Sequence, residues 1–100
     1  MSSKWAEELS LKCNIDPKVL QLTLEELSES CYGDAKTSKE IIEELTLSCH
    51  MNEKELREFV QEVSRNCPMD IKQLKEEVSK AEGSKEAAYK AIGKTASTVR

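Results

Sequence analysis

Residues 49–60 read CHMNEKELREFV and set the only histidine of the chain directly after one of its four cysteines. The stretch is either half of a metal or catalytic site, or the place where one helix stops and the next begins. Its second half answers by spacing. Asn52 followed by Glu55 is a capping arrangement that opens a helix, and Leu56, Phe59, Val60 and Val63 then recur on one helical face. Cys49 is the last inward position of the preceding run Ile41, Ile42, Leu45, Cys49. Cys49-His50-Met51 is therefore expected to be an interhelical corner, with the cysteine serving as a small buried hydrophobe.

The same reasoning extends outward. Asp16 before Pro17 offers an N-cap oxygen followed by a residue that needs no donor, so a helix is expected over 17–30 with Leu20, Leu24 and Leu27 inward and Cys31 at its end. Gly33 is expected in the left-handed conformation that stops it. Thr37 as N-cap, with Glu40 three places on, opens the helix that ends near His50. Pro68 breaks the helix begun at Asn52. Asp70 and Gln73 open another through about 81, with Ile71, Leu74 and Val78 inward, and Gly83-Ser84 closes it.

At the front, Trp5 and Leu9 suggest a short helix begun by Ser2 or Ser3. At the back, KEAAYKAI (85–92) favours helix by propensity, with Ala87, Ala88, Ala91 and Ile92 alone offering burial, and GKTASTVR (93–100) reads as disordered. No segment alternates as a strand would. The expectation is an all-α fold: a small bundle of four or five short helices over residues 1–82, then a weakly helical to disordered basic tail or linker start at 83–100.

The cysteines fall at 13, 31, 49 and 67, a constant spacing of 18. Counted from each cysteine, the segments share Asp or Asn at the fourth place, Lys at the sixth and an apolar residue at the twelfth. This is a helix-plus-turn rhythm, and it leaves both coincidence and an ancestral repeat open.

One hundred residues, 38% of them hydrophobic and 34% charged, fit one small helical domain with a modest Leu, Ile and Val core. No run approaches the roughly 18 apolar residues of a membrane span, and MSSKWAEELS lacks the basic end and apolar stretch of a signal peptide. A soluble, intracellular chain with reduced thiols is expected. Residues 1–79 carry 17 acidic and 10 basic side chains, whereas 80–100 carry 2 and 5. The folded part should repel phosphate, so any nucleic-acid duty falls to Lys80, Lys85, Lys90, Lys94 and Arg100.

Other chemistry finds little support. Zinc sites draw ligands in close pairs such as C-x-x-C, and equal spacing of 18 would require four helix ends to converge. A metal-stabilised or redox-sensitive module built on the four cysteines stays as an alternative reading. Nucleophilic catalysis needs a thiol beside an oriented base, and sequence neighbours at a helix end point in different directions. Glu25-Glu26, Glu43-Glu44 and Glu76-Glu77 sit where solvated faces are expected, and Gly33, Gly83 and Gly93 form no phosphate loop. A helix-turn-helix can be drawn over 38–66, but its second helix sets Glu53, Glu55, Glu58 and Glu62 against Lys54, Arg57 and Arg65 and would face phosphate poorly. No catalytic residue, metal ligand, cofactor or small-molecule substrate is expected.

AEEL at 6–9, DPKVLQLTLEEL at 16–27, Tyr32-Gly33, IIEELTLSC at 41–49 and MNEKELREFVQEV at 51–63 together form a pattern. In it a Glu-Leu helix precedes a Tyr-Gly corner, a second Glu-Leu helix ends in Cys, and the next helix carries Leu56 three places before Phe59. The pattern resembles the small helical N-terminal domain of the DNA polymerase alpha B subunit, the non-catalytic regulatory subunit of the polymerase alpha–primase complex. The resemblance implies a nuclear docking module that recruits replication proteins, tethered by a flexible linker to the remainder of the subunit and through it to the complex. The acidic faces around Glu43, Glu44, Glu58 and Glu62 are the candidate protein-binding residues.

Overall fold

A computed structural model describes residues 4–30, 33–66 and 70–92. Among them run six α-helices: α1 (Lys4–Cys13), α2 (Pro17–Ser30), α3 (Ala35–Glu43), α4 (Glu53–Asn66), α5 (Ile71–Lys80) and α6 (Lys85–Ala91). Helix α3 continues into a π-helical segment, Glu44–Ser48. The all-α small bundle is as expected, with one helix more than the upper count. The readings placed on Ser2, Ser3, Cys31, Tyr32, Cys67, Pro68, Lys94 and Arg100 lie outside the described residues.

The spacing of 18 has a physical content. The fourth place of every unit caps a helix: Lys18 N–H donates to Asp16 Oδ1 at 2.8 Å, Thr37 N–H to Asp34 Oδ2 at 3.0 Å, Glu55 N–H to Asn52 Oδ1 at 2.9 Å, and Gln73 N–H to Asp70 Oδ1 at 2.8 Å. Asn52 and Glu55 complete the reciprocal box, since Glu55 Oε1 accepts from Asn52 N–H at 3.1 Å. The twelfth places Leu24, Ile42, Val60 and Val78 are all buried. So are the eighth (Leu20, Ser38, Leu56, Leu74) and the fifteenth (Leu27, Leu45, Val63, Ala81), which completes an i, i+4, i+7 stripe in each helix.

Two expected helix signals are corrected. Thr37 is not the N-cap of α3; Asp34 is. Thr37 is buried one turn in, and its own Oγ1–H donates to the Asp34 carboxylate at 3.0 Å, so hydroxyl and backbone share one acceptor. Glu40 closes no capping box and instead pairs with Lys75 of α5 at 3.6 Å. Gly33 is not left-handed either. Its N–H donates to Ser28 O at 3.1 Å, a six-to-one bond of the kind that closes helices, and glycine is needed because a Cβ there would overlap the Ile71 side chain.

The corner at 49–52 forms as expected, with one addition. Thr46 Oγ1–H donates back to Ile42 O at 2.9 Å and Glu43 O at 3.2 Å, which loosens the α-helical ladder. The chain widens into a π turn, Cys49 N–H reaching Glu44 O and Met51 N–H reaching Leu45 O, both at 3.1 Å. His50, at φ 55°, then turns the chain. Asn14, the second place of the first unit, does the same at φ 58°. Gly83, at φ 84°, ends the α5 corner with room for no Cβ, because the Ser48 carbonyl oxygen would lie 2.9 Å from it.

Helix α2 packs on α1, α3 and α4, α3 on α5, and α5 on α6. Trp5 Nε1–H donates to Glu43 Oε2 at 2.7 Å and ties α1 to the end of α3. Helix α6 packs on the bundle beyond residue 82: Ala88, Tyr89 and Ile92 are buried, the Tyr89 ring lies 5.9 Å from that of Phe59, and Lys85 Nζ pairs with Glu55 Oε1 at 2.9 Å.

Burial, helped by Glu55 and Glu58, pushes the Tyr89 hydroxyl up to about 12. The unfolded chain sheds that proton near pH ~10. The raised value therefore supplies stability that is complete below about pH 10 and is lost as pH climbs towards 12. In a pH series of thermal melts read by circular dichroism, Tyr89→Phe should flatten the decline over that window relative to the parent chain.

Candidate functional site

The four glutamates singled out from the sequence do not share one surface. Glu43 and Glu44 lie at the α3–π junction and, with Glu40, Leu47, Ser48, Lys75 and Ser79, line a shallow groove between α3 and α5. Glu43 also has a structural duty, accepting from Trp5. Glu58 and Glu62 are on α4. Glu58 lines a depression with Glu53, Lys54, Arg57 and Gln61, and Glu62 pairs with Arg65 at 3.9 Å. All four are half-buried.

On α2, Glu25, Glu26 and Glu29 are exposed. They border a larger groove, about 600 Å³, between α2 and α4. Its α2 wall carries half-buried Val19, buried Thr23 and Leu22, the last 64% exposed. Arg57 and Gln61 form the α4 side, and the same two residues continue into the depression that holds Glu58. Sequence reasoning passed over this groove because it followed the buried stripe Leu20, Leu24, Leu27. The available signal was Leu22, a large apolar residue off that stripe and one helical turn before a glutamate pair.

The opening pair is split by its corner. Cys49 is 2% exposed, with Sγ 4.0 Å from Ser84 O, while His50 is exposed on the left-handed turn. Burial pushes the Cys49 thiol up, and the nearby Glu44 carboxylate adds to the effect. Such a thiol is a poor nucleophile, since the thiolate is the reactive form. Tryptic mapping after a short pulse of a thiol reagent should show Cys49 labelled about tenfold or more slowly than half-buried Cys13. Equal rates would mean that the corner opens readily.

Among the described residues, no group of three or more His, Cys, Asp or Glu is placed to hold a metal ion. Of the basic residues named for nucleic acid, Lys80 pairs with Glu77 at 3.8 Å, Lys85 with Glu55 at 2.9 Å, and Lys90 is exposed on α6. No described helix is long and apolar enough to cross a membrane.

No family model, curated protein or solved structure matches the chain. Site and function therefore rest on the residues themselves.

Proposed function

We propose that this chain is a non-catalytic protein-docking module. The observation that carries the reading is the α2–α4 groove, where Leu22, largely open to solvent, and half-buried Val19 are set in a polar, acid-bordered lining, on a bundle whose buried apolar side chains form one cluster. Single exposed leucines are ordinary. One set in a concave, charge-bordered groove has the form of an anchor site. The resemblance to the polymerase alpha B subunit supplies a context: a nuclear module that recruits replication proteins, with a linker raising their local concentration. Acidic surfaces around Glu43, Glu44, Glu58 and Glu62 would add orientation and encounter rate.

The test is quantitative capture from nuclear extract on the immobilised full chain, with cross-linking to map contacts. Replication proteins enriched over a scrambled-surface control are expected. A chain that retains no protein at physiological salt would end the docking reading, and retention of nucleic acid alone, lost steeply with salt, would favour binding through the basic residues.

A further inference from the structure

Resting on the docking reading, we infer that the α2–α4 groove receives a basic amphipathic helix from a partner protein. Val19 and Leu22, one turn apart at one end of the groove, can take apolar side chains spaced i, i+3 or i, i+4 on a partner helix, as in helix-in-groove recognition. The charge is lopsided: Glu25, Glu26 and Glu29 stand along α2, against Arg57 on α4. A helix lying in this groove with lysine or arginine towards α2 meets opposite charge, whereas an acidic helix meets three carboxylates at close range.

Arg57 refines the match. Its guanidinium is a fork that suits a carboxylate or carbonyl, and the Gln61 amide one turn on can both donate and accept. The partner helix should therefore carry cations on the α2 side and one acidic or amide residue opposite Arg57, since Glu53 and Glu58 beyond it again favour cations. Length follows from geometry. The groove runs along α2 from Val19 to Ser30, roughly 16 Å at ~1.5 Å per residue, which accommodates about three turns. The continuation over α4 to Glu53 and Glu58 adds two more carboxylates beside Lys54.

The α3–α5 groove is the weaker candidate. It also holds an exposed leucine, Leu47, but that side chain is 38% exposed against 64% for Leu22, and Glu40 is paired with Lys75.

The test uses the isotope-labelled full chain and three peptides of about 15 residues that share one helical leucine pattern and differ in flanking charge: lysine, glutamine or glutamate. The lysine peptide is expected to bind at least about tenfold more tightly than the glutamate peptide, with amide shifts centred on Leu22, Glu26, Arg57 and Gln61. Leu22→Lys, at an exposed position, should abolish those shifts while leaving the helical signal and melting temperature intact. Equal binding of all three peptides, no binding by any, or shifts spread over every acidic face and insensitive to Leu22→Lys would overturn the inference. So would groove shifts that track chain concentration, or that appear on deleting residues 93–100, because a second copy or the chain's own end would then be the occupant. If the peptides fail but the Leu22→Lys chain still captures replication proteins, the groove is wrong and docking stands. If the peptides fail and the parent chain captures none either, both fall.

Discussion

Phe59→Ala should cost the bundle about 3–5 kcal/mol, the largest loss expected from any single truncation here. Phe59 is 1% exposed and faces Tyr89 across the α4–α6 contact, so its removal leaves a cavity between two helices that the Lys85–Glu55 pair also joins. Small domains hold a total of about 5–15 kcal/mol. The variant should therefore melt more than about 12 °C below the parent chain, and α6 should lose amide-exchange protection before α2. A drop of only a few degrees would mean that α6 does not share the core.

Gly33→Ala should be nearly as damaging for the opposite reason. The substitution normally stabilises a chain where the backbone permits, by reducing the freedom of the unfolded state. At Gly33 the added methyl would overlap Cβ and both γ carbons of Ile71, the first residue of α5. Because Cβ is fixed to the backbone, a rotamer change cannot relieve the overlap. Helix α5 or the corner must move, at a cost of about 1–3 kcal/mol typical of overpacking. Urea melts give the sign directly, and pairing Gly33→Ala with Ile71→Ala, which removes both γ carbons, should cost less than the two single losses added together. A more stable Gly33→Ala chain would show that α5 does not approach the corner so closely.

The elements legible in the sequence are those set by local chemistry. Asp16, Asn52 and Asp70 cap helices where short-range pattern puts them, and Leu20, Leu24, Ile42, Val60 and Leu74 are buried where helical period demands. Failures came where a distant contact decided. Asp34 and Thr37 each fit an N-cap, and burial of Thr37 in the packed bundle chose between them. Gly33 reads as a helix stop, but its necessity comes from Ile71, far along the chain. Tyr89 looks like a surface residue of an Ala-rich helix until Phe59 meets it. The π turn depends on where one hydroxyl, that of Thr46, finds its acceptor.

The candidate site was less legible than the fold. Charge alone singles out Glu43, Glu44, Glu58 and Glu62, and charge does not reveal that Glu43 is held by an indole or that Glu62 pairs within its own helix. The α2–α4 groove arises from two helices that meet only after folding. No helical period computed along α2 alone includes Arg57 and Gln61.

The central claim is that capped helices and an apolar core, with Cys49 as a plug in a corner, hold this chain together without an ion. Melting the protein in excess chelator, with zinc added back, tests it most directly. The account predicts that helical signal and melting temperature are the same in all three states. Loss of helix on chelation, restored by zinc, would contradict it and return the cysteines to the centre of the molecule's chemistry.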